Sequence, residues 1–186
     1  MPAPLAYFFW HWKQRSVDAV RYEAALRDFH AALAANPPRG FVQSTSTAVT
    51  GAPWANAGGK AYLDRYLIDD SSALDSLDDA IGAMGNHQAH DSIARLAAAG
   101  VGGLNRVRLG SPVAQPTQAF WFGKPAGMSY AHLFETLQRW AQTDSYVLWM
   151  RKMVLGPSPE FCIELAGAAK LPEVCVPIRL PLRSVW

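Results

Sequence analysis

The sequence predicts an α+β fold: two βαββαβ units in tandem, their antiparallel sheets closed face to face into one barrel with the helices outside. Three observations lead there. Residues 5–33 read as an aromatic strand, a short turn and an amphipathic helix, and an ungapped echo returns 111 positions later: Phe9, Trp10, Lys13 and Leu26 recur as Phe120, Trp121, Lys124 and Leu137, and Phe29 is answered by Trp140. Four identities over the eighteen positions from 9 to 26 exceed the roughly one that average composition supplies. The opening strand is bulky on both parities, with Tyr7, Phe9, His11 and Lys13 on one side and Phe8, Trp10 and Trp12 on the other, so neither side is a solvent face. The third observation is the order of elements, which runs strand–helix–strand–strand–helix–strand in each half.

The first strand spans about Tyr7 to Lys13. Ser16 or Asp18 caps the helix that follows, and Tyr22, Leu26, Phe29 and Leu33 form its sheet-facing stripe. Asn36-Pro37-Pro38-Arg39-Gly40 stops it. Phe41 to Thr50 is rich in β-branched residues and reads as a second strand with a polar middle, Gln43 to Thr47. After a loop with Gly, Pro and Asn comes a third strand, Ala61 to Ile68, with Tyr62, Asp64, Tyr66 and Ile68 sharing a face. A helix opens at Ser71 or Ser72 and places Leu74, Leu77, Ile81 and Met84 on its buried side. Gly85-Asn86 breaks it, a second helical piece runs through Ile93, Leu96 and Ala97 to Gly100, and Leu104 to Leu109 makes a short strand.

The echo begins with strand Ala119–Lys124 and a helix from about Ser129 to Gln142. Strands Tyr146–Leu155 and Glu160–Leu165 follow. Val42, Val49 and Gly51 find counterparts in Val147, Val154 and Gly156, at an offset of 105. Ala166–Lys170 has room only for a stub of helix. The tail alternates, with Val174, Val176, Ile178, Leu180 and Leu182 on one side, and Pro177 and Pro181 restrict it to an edge strand or an arm on a neighbour. The order is the split βαβ, or ferredoxin-like, arrangement. Residues 1–110 form the first repeat and 111–186 the second, fused into one compact unit.

Half of the 186 residues are hydrophobic, 17% are charged and the net charge is +2, which argues against nucleic acid as a partner and leaves apolar surface for a second subunit, with the C-terminal segment as a homo-oligomer contact. No apolar run reaches the roughly 20 residues that span a bilayer, and residues 3–10 lack the basic segment of a secretory signal. No membrane partner is expected, and the chain is expected in the cytoplasm. Cys162 and Cys175, on strands separated by a third, read as buried thiols rather than a bridge.

Tyr22-Glu23-Ala24-Ala25-Leu26-Arg27-Asp28-Phe29-His30-Ala31-Ala32-Leu33 is similar to the aromatic-then-histidine end of the first helix in EthD-like sequences. With the barrel pattern, residues 6–70 and, more weakly, 117–182 resemble the dimeric α+β barrel superfamily. It includes EthD-like proteins, antibiotic-biosynthesis monooxygenases, muconolactone isomerases and some polyketide cyclases. The resemblance implies a pocket for a small, often aromatic or polyketide-like compound, commonly without metal, and it gives His30 a role. Ala141 stands where His30 would recur, so only one half-site is complete.

Candidate chemistry gathers on the first and third strands. His11 lies among aromatics, and its parity, with Tyr7, Phe9 and Lys13, is assigned to the barrel interior because its polar tips would otherwise lie beneath a helix. Tyr62, Asp64 and Tyr66 join it on the same argument. A histidine, a carboxylate and two phenols in an apolar cavity can move protons or orient an enol or phenol. The alternative is a buried histidine hydrogen-bonded within a packed core. His11, His30, Asp64 and Tyr66 are therefore the candidate catalytic residues, and Tyr7, Phe9, Trp10 and Tyr62 the candidate walls. Phe122 replaces His11 in the second half.

His87-x-x-His90-Asp91 has the spacing of a shared helix face but lacks a supporting metal motif, and no metal is assigned. Gly100-Val101-Gly102-Gly103 precedes a strand, the reverse of a phosphate cradle. The leading expectation is a barrel that encloses a small hydrophobic ligand without a cofactor, as a monooxygenase, isomerase or cyclase. Against it stand a non-catalytic binding or oligomerisation module and a haem-binding protein, since some haem enzymes use tandem barrels.

Overall fold

The structure is a computed structural model that describes residues 4–82, 85–141, 146–152, 156–167 and 169–186. The expectations for Met84, Gln142 and residues 153–155 fall outside the described residues.

In the first half, β1 (Leu5–Lys13) leads into α1 (Ala19–Ala35), β2 (Phe41–Val49) and β3 (Ala61–Ile68). Then come α2 (Ala73–Gly82), α3 (His87–Ala94) and β4 (Ala97–Gly110). The second half holds β5 (Gln118–Phe122), α4 (Tyr130–Trp140), β6 (Tyr146–Arg151), β7 (Phe161–Leu165), β8 (Ile178–Pro181) and β9 (Arg183–Ser184). Asp18 caps α1 by accepting from the backbone N–H groups of Val20 and Arg21, and Ser129 caps α4 from His132.

All nine strands form one sheet in the order β8-β5-β7-β6-β4-β1-β3-β2-β9, and every pairing is antiparallel. Each half contributes the same pattern, fourth strand beside first, first beside third, third beside second, and the halves join where β4 meets β6. The tail then does something the alternation did not reveal. β8 pairs with β5 at one end of the sheet, and after Leu182 alone the chain enters β9, which pairs with β2 at the other end. Leu180 and Leu182 are buried in the barrel core, so the sheet curls until its two ends are separated by a single residue of chain.

Several boundaries differ from expectation. β4 starts at Ala97 and takes in residues 97–100, read as the end of a helix, together with the glycines that follow. Those glycines serve the neighbouring strand. A Cβ on Gly100 would stand 2.4 Å from the Phe9 ring, and one on Gly102 2.2 Å from the Tyr7 hydroxyl, so β1's aromatics lie flat across β4 only because these positions lack side chains. No helix forms between β7 and β8 among the described residues. Cys175 lies ahead of β8 rather than on it, and both cysteines are buried and free. The offset of 105 between the second strands is also overturned. Pairing with the third strands sets Ser44 opposite Tyr66 and Tyr146 opposite Leu165, an offset of 102, whereas 105 would set helix-facing Ser44 on Trp149, which points into the barrel.

The barrel interior is filled by packed side chains. Phe8, Trp10, Leu63, Trp121, Trp149 and Cys162 belong to one buried cluster that draws on both halves. Its rings meet edge to face: Phe8 lies 5.8 Å from Trp121 and 5.5 Å from Trp149, and Trp10 5.5 Å from Trp121. Arg65 pairs with Glu164 inside this core and donates to the Val113 carbonyl at 2.6 Å, while the Trp149 indole N–H reaches Glu164 at 2.8 Å.

Candidate active site between sheet and helices

The register places Tyr7 opposite Tyr66, Phe9 opposite Asp64 and His11 opposite Tyr62, so these six residues share one face of the sheet. Ser44 and Ser46 on β2, opposite Tyr66 and Asp64, extend it. That face meets α1, not the barrel interior: Tyr7, Phe9, Tyr62 and Tyr66 cluster with Tyr22, Leu26, Phe29 and Leu33. The expected interior placement of His11 is thereby corrected. It assumed that a helix would leave the polar tips unsatisfied, whereas α1 brings a hydroxyl and an imidazole of its own. The ligand space moves accordingly. Instead of lying inside the barrel, a cavity of about 680 Å³ lies between this face and α1, α2 and α3, with Tyr7, Phe9, His11, Tyr22, Asp64 and Tyr66 on its wall.

At the base of the cavity three side chains converge on one carboxylate. The Asp64 Oδ2 accepts from the Tyr66 hydroxyl at 2.9 Å and stands 3.2 Å from His11 Nε2 and 3.3 Å from His30 Nε2. The two imidazoles meet it at ion-pair distance without the alignment of full hydrogen bonds. Their other nitrogens are engaged as well: His11 Nδ1 with the Tyr22 hydroxyl at 2.6 Å and His30 Nδ1 with the Ser44 hydroxyl at 2.7 Å. Asp64, His11 and His30 are 2%, 3% and 0% exposed, so the charge is desolvated and must be met by its partners.

Burial alone would push the Asp64 carboxyl up, but His11 and then His30 outweigh it and hold the group well below the usual carboxylate range. Burial, reinforced by the Asp64 charge, pushes the Tyr66 and Tyr22 phenols far above their ordinary value. Both phenols therefore stay protonated as donors. An ionised Asp64 accepts only, which assigns N–H to Nε2 of each imidazole and makes each Nδ1 the acceptor of its hydroxyl partner. The Asp64 Oδ1 is then left as the cluster's open acceptor, since it finds no hydrogen-bond partner among the described residues.

The expected site residues divide as follows. His11, Asp64, Tyr66, Tyr7 and Phe9 line the cavity. His30 stands behind the wall and acts on it through Asp64. Tyr62 stacks on His11 at 5.7 Å and donates to Glu23 at 3.0 Å, backing the site rather than facing it. Trp10 is corrected: its parity points into the barrel, where it packs against Trp54 and Trp121. Ser44 and Tyr22 complete the network and were not singled out from sequence. The polar middle of the second strand carried a signal for Ser44, while Tyr22 was masked by its place in an apolar helical stripe.

The second half carries hydrocarbon where the first carries the histidines, the aspartate and three of the phenols, while Gln118 and Tyr146 stand for Tyr7 and Ser44. With Phe9 set on Phe120, the pairings align His11, Asp64, Tyr62 and Tyr66 with Phe122, Ile163, Phe161 and Leu165. Leu133 and Ala141 stand for Tyr22 and His30. Phe122 and Phe161 stack at 5.5 Å with Leu133 and Leu137 packed around them.

Neither His11 nor His30 turns a ring nitrogen to the cavity as an axial haem ligand must, whereas His90 lines the cavity and its Nδ1 has no hydrogen-bond partner among the described residues. His87 and His90 both lie on α3, with Asp91 3.7 Å from the first and 3.8 Å from the second.

No protein-family model matches the chain, and no curated protein matches it by sequence. Solved structures do. A candidate monooxygenase of Fusobacterium nucleatum superposes with a TM-score of 0.64 at 8% identity, over 100% of this chain and 94% of that one. A candidate monooxygenase of Lactobacillus acidophilus gives 0.54 at 10% identity, over 88% and 76%. A candidate chlorite dismutase gives 0.53 at 9%, over 100% and 96%. Together with the nearly closed nine-stranded sheet, these likenesses show a dimeric α+β barrel fold formed within one chain.

Proposed function

We propose that the chain is a cofactor-independent enzyme of monooxygenase type that acts on a small aromatic or polyketide-like compound in the cavity between β1, β3 and the first three helices. The observation that carries this reading is the convergence of His11, His30 and Tyr66 on one buried carboxylate at the base of a largely apolar cavity. Apolar walls with a few convergent polar groups suit a ligand of this class.

An enol or phenol hydroxyl docks on Asp64 Oδ1. A carboxylate held so far below its ordinary range is a strong acceptor but a poor resting place for a proton, and His11 Nε2 already carries a hydrogen toward it. The proton therefore reaches His11 Nδ1 through Tyr22, whose hydroxyl lines the cavity 2.6 Å from Nδ1 and gives up its own hydrogen as it takes the ligand's. Asp64 then stabilises the imidazolium that forms. Tyr66 and His30 fix the carboxylate in place. The resulting enolate or phenolate is electron-rich and enclosed, the state from which O2 attacks without a cofactor. The same proton transfer serves an isomerase or a cyclase.

Anthrone, a tricyclic ketone that enolises to a phenol, tests the reading. Its oxidation to anthraquinone consumes one O2 and releases one water. An oxygen electrode should register uptake with purified protein and no added flavin or metal, and Asp64→Asn or His11→Phe should lower it at least tenfold while circular dichroism stays native. Unchanged turnover in both variants would remove the cluster from the chemistry. A Soret band in the purified protein would replace the cofactor-independent reading with the haem one.

A further inference from the structure

We infer that Asn86 and His90 form a second polar pole of this cavity, built to receive an O–H or N–H hydrogen from a neutral ligand whose other end rests on Asp64. The inference builds on the ligand cavity of the preceding section. Asn86 is 2% exposed and lines the cavity, and its Oδ1 finds no hydrogen-bond partner among the described residues. Its Nδ2 donates to the Asn36 carbonyl at 3.2 Å, which fixes which end of the amide is the open one. Although it precedes α3, its side chain makes no capping bond, so the oxygen is not spent on the helix. The turn holding it is pinned: Gly85 has φ +105°, and a Cβ there would come 3.0 Å from Asn36 Nδ2.

His90 follows one turn later, its N–H bonded to the Asn86 carbonyl at 2.9 Å. Phe29 holds its ring edge to face at 5.8 Å. Its Nδ1 is buried and unpartnered among the described residues, and Asp91 at 3.8 Å is beyond hydrogen-bond reach. Two open polar atoms on one helix face are a conspicuous cost in a folded protein, removed when a ligand donates to them.

The charge of the cavity narrows the ligand further. Asp64 and Asp78 line it, and no lysine or arginine does among the described residues. A carboxylate or phosphate would meet repulsion and no counter-charge. The poles are also well separated. Asn36, which anchors Asn86, follows His30 by six residues, about 9 Å along the helix axis. Leu33 lies between them on the cavity wall. The ligand is accordingly an elongated, uncharged molecule with a hydrogen-bond donor at each end.

Calorimetric titration of the whole protein with three probes tests this: a mono-hydroxylated naphthol, the naphthalenediol with hydroxyls at opposite ends, and naphthoate. The diol should bind about three- to tenfold tighter than the naphthol, the worth of one hydrogen bond, and naphthoate should bind weakest. Asn86→Ala and His90→Leu should each reduce the diol to the affinity of the naphthol. Should Asn86→Ala fail to fold, His90→Leu and the wild-type comparison still decide. Equal binding of naphthol and diol, an advantage that survives in every folded variant, or tightest binding of naphthoate would overturn the second pole and leave the cavity reading standing. Binding of none of the three would overturn both.

Discussion

Replacing Asp64 with asparagine tests the site most directly, because the substitution keeps the shape and removes the charge. The native carboxylate is 2% exposed and holds two imidazoles at 3.2 and 3.3 Å and a phenol at 2.9 Å. The amide can keep its oxygen toward the three donors and turn its NH2 to the unpartnered Oδ1 side, so what the substitution removes is the negative charge that holds both imidazoles. Removing one partner from a buried ionic cluster costs about 3–5 kcal/mol. For a chain of this size each kcal/mol moves the melting temperature by about 2–4 °C, so the loss should be roughly 6–20 °C. The gap must also depend on pH with a defined sign. Asp64 is held below its unfolded value, so its contribution is fully present above about pH 5 and fades as pH falls below about 4 toward the folded value. Urea unfolding of both proteins at pH 7, 5 and 3, followed by circular dichroism, gives the comparison. A difference below about 1 kcal/mol at pH 7, or one that stays constant down to pH 3, would refute the account of a charge held by its neighbours.

Three further substitutions separate binding from packing. His11→Phe, which copies the residue found at position 122, should fold, cost about 1–3 kcal/mol through the orphaned Tyr22 hydroxyl, and weaken naphthol binding by calorimetry. Gly102→Ala should push the Tyr7 ring toward the cavity, cost about 1–3 kcal/mol and lower ligand affinity; unaltered affinity would show that the ring has another place to go. Arg65→Met should destabilise by about 3–5 kcal/mol in chemical denaturation by stranding Glu164, while the double variant with Glu164→Met should recover most of that loss.

What the sequence disclosed follows a physical line. Periodicity and parity depend on neighbours along the chain, so the strand order and the shared face of Tyr7, Phe9, His11, Asp64 and Tyr66 were legible. Which side of the sheet that face looked toward was not, because both sides of β1 are apolar and both are covered. The decisive fact, that α1 carries Tyr22 and His30 at the height of Asp64, is a relation between elements 34 and more residues apart. Asn86 escaped notice for a related reason: after Gly85 it reads as a helix breaker, and only the fold shows its oxygen unused. The Gly100 and Gly102 pair misled in the other direction. Gly100 read as the end of a helix and Gly102 as a link to the next strand, whereas their purpose is set by rings on a strand some ninety residues earlier.

Because one chain supplies both half-sheets, the two halves are free to specialise. A barrel assembled from two identical chains must install every residue twice, so each costly polar cluster comes with its twin. Here the two histidines and the aspartate of the cluster occur once, and the opposite layer sets phenylalanine, alanine and isoleucine in their places. That apolar half lends cohesion to the polar one, and both are carried on the same stretch of chain.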